Sequence, residues 1–97
     1  MLKIKELREG MRKVDIEGKV VEVGQAREVH SRYGDQTFRV ADAVISDETG
    51  TVKLTLWNEQ IGQVKVNDSV RIENGYTGSF RGELQLNVGK YGKLTVL

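Results

Sequence analysis

The residues Thr51-Val52-Lys53-Leu54-Thr55-Leu56-Trp57 alternate without a break, which puts Val52, Leu54 and Leu56 on one side of a strand. Thr51, Lys53, Thr55 and Trp57 fall on the other. The single Trp of the chain therefore shares a face with a lysine and two threonines rather than with the aliphatic set. An indole on a polar face is unfavourable in water unless something stacks on it or it folds over the strand end. The chemistry open to it is π-stacking beside a cation, which suits a nucleobase and its phosphate; each stacked base is worth about 1–3 kcal/mol. The strand alone leaves the alternative of a lid folded over a barrel rim.

Two further rings extend the pattern. Phe80 lies between Ser79 and Arg81-Gly82, where an apolar side chain has few core neighbours, so it reads as a platform or as an anchor under a hairpin. Plain alternation from Val70 and Ile72 turns Tyr76 inward, whereas a bulge at Asn74-Gly75 turns it outward. Tyr33, in a polar stretch from Gln25 to Gln36, is suited to stacking on a base or to packing its own loop. Arg27, Arg32, Arg39, Lys53, Arg71, Arg81 and Lys90 are the candidate phosphate partners, each otherwise an ordinary solvated charge. Arg39 and Lys53 are favoured because they lie on the second and third strands. Gln85 and Asn87 alternate with Leu84, Leu86 and Val88, so their amides face outward, toward base edges or simply toward water.

The elements that position these residues read as strands. Eleven Gly, no Pro and valine-rich alternating stretches indicate an all-β chain. Val14 to Gly24 carries apolar residues at Val14, Ile16 and Val20, then changes parity to Val21 and Val23, a sign of a bulge or coil near Gly18. Gln25 to Gln36 reads as a hairpin loop and Thr37 to Ser46 as a second strand. Asp47-Glu48-Thr49-Gly50 is a turn leading into the third. Asn58 is placed to cap one helical turn that sends Ile61 and Val64 inward. Ser69 to Tyr76 and Glu83 to Val88 form the fourth and fifth strands, joined through Thr77 to Gly82, with an extension over Lys93 to Leu97. Leu7 and Met11, four apart, are spaced to cover one barrel end from a short turn. Five strands with a short helix after the third is the order of an OB-fold, a five-stranded Greek-key barrel, here as one domain over residues 1–97.

Composition narrows the function. With no Cys and a single His, His30, neither a thiolate metal site nor a Cys-His nucleophile can form, so no enzyme, metal or cofactor is expected. Asp47 and Glu48 are accounted for by turn chemistry. The net charge of +1 hides a distribution: positive surplus falls in residues 1–14, 25–39 and 71–97, and 40–70 is net acidic. No apolar run reaches the roughly 18 residues that a membrane span needs, and the charged amino terminus does not read as a signal peptide. A cytoplasmic protein is expected.

The set Asp47-Glu48-Thr49-Gly50, Val52-Lys53-Leu54-Thr55-Leu56-Trp57, Ile72-Glu73-Asn74 and Phe80 followed by Leu84-Gln85-Leu86-Asn87 resembles the archaeal single-OB single-stranded DNA-binding proteins, relatives of the replication protein A domains. The resemblance implies stacking on single-stranded DNA by Trp57, Tyr76 and Phe80, with Tyr standing where its near relatives carry Trp. It also implies a nucleoid-associated monomer that coats and protects single strands in replication, recombination and repair, with proteins of those processes as partners. That family commonly continues past the OB domain into a flexible Gly-rich, acid-ended tail that recruits partners; this sequence, which runs to Leu97, does not include it. An RNA-binding OB module and an OB-fold protein-interaction subunit are the rival readings, since stacking alone does not distinguish ribose from deoxyribose.

Overall fold

The parity change between Val20 and Val23 is a β-bulge in the computed structural model, which describes residues 1–30, 34, 36–89 and 91–97. Strand β1 (Val14–Val23) buries Val14, Ile16 and Val20. Val20 then opposes Ile45 while Glu22 opposes Val44, which leaves Val21 as the extra residue, turned outward. An inserted residue bends the strand and increases its twist. The bend lets β1 serve two neighbours, β5 (Ser69–Phe80) along its first half and β3 (Thr37–Asp47) along its second. At the changeover a Cβ on Gly18 would stand 3.1 Å from the Ser46 carbonyl oxygen, so the close strand crossing needs glycine there.

β3 turns through Glu48-Thr49 into β4 (Gly50–Trp57), β4 runs parallel to β6 (Glu83–Asn87), and β6 is antiparallel to β5. The circuit β1–β3–β4–β6–β5–β1 closes the sheet on itself in the OB-fold order. Ile16, Ile45, Leu54, Leu56, Ile72 and Leu86 fill its interior and are fully buried. Each such side chain contributes roughly 1.5–3 kcal/mol of hydrophobic stabilisation. The connector α1 (Glu59–Gln63) follows β4, with Ile61 half-buried and Val64 buried against the core. β7 (Lys93–Val96) adds to the outer edge of β5.

The bulge in β5 has a specific cause. Val14 opposes Gly75 while Ile16 opposes Ile72, so β5 carries one residue more than β1 over this stretch. Asn74 takes it up in the left-handed region at φ 56°. Gly75 is required by contact, since a Cβ there would lie 2.9 Å from the Asn87 carbonyl oxygen. Val70 and Ile72 point inward before the bulge and Thr77 after it, so Tyr76 points out.

Four local expectations need correction. The stretch from Gln25 is not all loop: β2 (Arg27–His30) pairs with the start of β3, and every residue of β2 is exposed, so it has no buried face to leave a periodic signal. Thr77 to Phe80 is strand, and the connection to β6 is only Arg81-Gly82, both left-handed at φ 53° and 81°, the primed turn that suits the strand twist. Asn58 does not cap α1 with its side chain; its Oδ1 accepts the Arg39 N–H (3.1 Å), and its own N–H donates to the Arg39 carbonyl (2.8 Å). Leu7 is buried and Met11 half-buried on the core, but the helical turn is the 3-10 turn Ile4–Glu6, upstream of both.

Candidate nucleic-acid interface

Directly opposed residues in a β-ladder present their side chains on the same face. Val40 opposes both Arg27 and Trp57; Asp42 opposes Thr55, Thr55 opposes Asn87, and Asn87 opposes Tyr76. A third row runs Val44, Lys53, Gln85, Gly78, and Phe80 opposes Glu83. These rows place Trp57, Tyr76 and Phe80 on one outer face with Lys53, Gln85 and Asn87. The three rings are 37%, 43% and 57% exposed.

Trp57 is held from two sides. Its N–H donates to Gln60 Oε1 (3.0 Å), which fixes the end of β4 against α1. Its indole meets Phe38 edge to face, with centroids 6.4 Å apart and planes at 83°, a favoured aromatic geometry that leaves indole surface open. Phe80 ends β5, with the Arg81 guanidinium 5.2 Å from its ring centroid, within cation–π range. The aromatic at 80 is thus presented by a tight turn rather than by a loop.

Between Trp57 and Phe80 lies a groove of about 310 Å³, walled also by Arg27 and Val29 and floored by Asp42, Thr55, Gln85 and Asn87. Thr55 is only 6% exposed, and its Oγ1 is buried without a hydrogen-bond partner among the described residues. On the other side of Trp57 a depression of about 560 Å³ runs between Phe38, Gln60, Tyr76, Val88 and Gly89.

The charges on this face are partly neutralised. Lys53 is ion-paired with Glu83, and the hydrogen bond and charge of that carboxylate raise the lysine pKa above its usual value. Arg27 Nη1 lies 3.6 Å from Asp42 Oδ2. Exposed pairs of this kind are weak, so both cations can be drawn to a competing phosphate.

Not all the candidate cations gather here. Arg39 alternates with Phe38 and Val40 and opposes Glu28, so its side chain leaves from the other side of the β2–β3 ribbon. Arg71 sits where β5 pairs with β1 and β7, and its Nη2 lies 3.5 Å from Glu17 Oε1. Arg81 is exposed at the hairpin tip beside Phe80. Arg32, Tyr33 and Lys90 lie outside the described residues. Sequence reasoning missed Phe38, Val29 and Asp42. The two-residue turn that sets Asp47 opposite Gly50 also sets Val40 opposite Trp57, and that register was the signal that would have found Phe38 and Asp42; Val29 lies on β2, which left no signal.

Comparison with known proteins identifies the family and the fold. Residues 7–96 match the family described as single-stranded DNA binding protein Ssb-like, OB fold. The single-stranded DNA binding protein Ssb of Saccharolobus solfataricus is 38% identical over 92 residues, covering 95% of this chain and 61% of that protein. The chain thus spans less than two thirds of that relative's length. Among solved structures, an OB domain from Thermoplasma acidophilum superposes with a TM-score of 0.83 at 25% identity, covering 99% of this chain and 85% of that one. A replication factor A related protein from Methanobacterium thermoautotrophicum gives 0.82 at 25% identity, covering 100% and 90%.

Proposed function

The chain belongs to the Ssb-like OB-fold family, a family of DNA-binding proteins rather than enzymes, and from that premise we propose that it binds single-stranded DNA by stacking bases on Trp57, Tyr76 and Phe80. The observation that carries this is the arrival of all three exposed rings on one outer face, through the β4–β6–β5 register and the bulge at Asn74. Three platforms supply roughly 3–9 kcal/mol before association and ordering costs are subtracted. Lys53 and Arg27 exchange Glu83 and Asp42 for phosphates, Gln85 and Asn87 meet base edges, and Arg81 flanks Phe80. Arg39 and Arg71, directed elsewhere, contribute at most long-range attraction.

Stacking with phosphate contacts is tolerant of sequence, as coating a strand demands. We assign the domain to binding and protecting single strands exposed in replication, recombination and repair, in the cytoplasm, with a site of about four to six nucleotides. The test is anisotropy of labelled oligo-dT with wild type and Trp57→Ala. Removing the platform should weaken binding by about 1–3 kcal/mol with little loss of melting temperature; equal affinity refutes the assignment. A matched RNA oligonucleotide that competes better than DNA moves the domain to RNA.

A further inference from the structure

We propose that the strand path continues past Tyr76 into a second cleft, where Arg12 and Lys13 hold backbone phosphates; this extension rests on the single-strand reading above. The cleft, of about 520 Å³, is lined by Met11, Arg12, Lys13, Asn74, Tyr76 and Tyr91, with Gly89 at its boundary. Tyr76 and Gly89 also line the depression that reaches Trp57, so the two spaces meet at the Tyr76 ring. A base stacked at Tyr76 therefore leads its neighbour into this cleft.

Charge separates the cleft from the Trp57–Phe80 groove. Arg27, the one cation lining the groove, is paired with Asp42, and Lys53 on the same outer face is paired with Glu83. The cleft lining holds two cations and no carboxylate, and neither Arg12 nor Lys13 forms an ion pair among the described residues. Of the acids on adjoining segments, Asp15 accepts the Asn74 N–H (2.9 Å) and Glu9 accepts the Ser79 hydroxyl (3.0 Å). Among the described residues, a phosphate here displaces no ion-pair partner. Tyr91, 82% exposed at the far wall, offers another ring.

The segment carrying the cations is fixed rather than loose. Buried Thr77, next to Tyr76, accepts the Met11 N–H at Oγ1 (2.9 Å) and gives its own N–H to the Met11 carbonyl (3.0 Å). Its hydroxyl donates to the Arg8 carbonyl, and its carbonyl accepts the Gly10 N–H (3.3 Å). Gly10 at φ 84° and Lys13 at φ 54° shape the turn between these anchors and β1. One residue of β5 thus ties the cation pair to the strand that presents the ring.

The test compares wild type with Arg12→Gln/Lys13→Asn on oligo-dT of about five and about ten nucleotides, the shorter matched to the Trp57–Phe80 face. Asn is chosen at 13 because it tolerates left-handed backbone. The variant should match wild type on the short strand and bind the long one about tenfold more weakly, with its log-log salt slope reduced by about 1.4, or 0.7 per lost phosphate. Arg12→Glu should enlarge the same length-selective loss. Thermal unfolding of each variant checks that the fold is retained. Equal loss at both lengths, or none at either, overturns the extension while leaving the stacking face in place. A wild type that binds neither length overturns both.

Discussion

A Cβ placed on Gly89 would stand 3.2 Å from both Cδ1 and Cε1 of Tyr76, so the backbone just beyond β6 forms the seat of the ring. Gly89→Ala should push the ring a few tenths of an ångström off that seat. The backbone there is not left-handed, so the added methyl costs the fold little and can stabilise it by about 0.4–1 kcal/mol through the unfolded chain. The expected result is unchanged or higher melting temperature together with several-fold weaker oligo-dT binding.

Phe38 supports Trp57 edge-on without lying in the core. Phe38→Ala should weaken binding by about 0.5–1.5 kcal/mol, the worth of an aromatic pair. The Trp57 emission of the free protein should shift as its neighbour is lost, while denaturant unfolding changes much less than for Leu54→Ala, a core deletion expected to cost about 2–5 kcal/mol.

Glu83 holds Lys53 and lies opposite Phe80. Glu83→Gln should free the lysine for a phosphate, raising affinity at low salt and steepening the salt dependence by up to about 0.7 in log-log slope. Binding isotherms at several salt concentrations check this.

Asp47 fixes the β3–β4 turn. Partial burial opposes its charge, but the Thr49 hydroxyl (2.5 Å) and the N–H groups of Ile4 (2.9 Å) and Thr49 (2.6 Å) outweigh it and lower its pKa from 3.8 to about 2. Between those values the unfolded chain takes up the proton and the folded one does not. The carboxylate's contribution is therefore full above about pH 4 and is lost as pH falls toward 2. Melting curves of wild type and Asp47→Asn should differ most above pH 4 and converge on acidification.

Much of this fold was legible because its strands are half-buried. Val14, Ile16 and Val20, then Val52, Leu54 and Leu56, carry the period of two that packing against a core imposes. The Asn74-Gly75 dipeptide marked the bulge, and only the structure decided the orientation of Tyr76. β2 was illegible because nothing covers Arg27 to His30 on either face. The hairpin after Phe80 was misread because Arg81, a residue that seldom adopts φ near 53°, occupies a position usually taken by Asn or Gly. In the site, Trp57 and Lys53 showed in their own strand, whereas Phe38 and Asp42 required the register of a neighbouring one. Among the candidate cations, alternation on β3 sends Arg39 away from Trp57, which the sequence of its own strand did not show.

The central claim is that bases stack on Trp57, and the sole tryptophan reports on itself. Titrating oligo-dT into the protein at low salt should change its emission saturably, with the change reversed by added salt. Emission that stays constant through saturating oligo-dT would contradict the account.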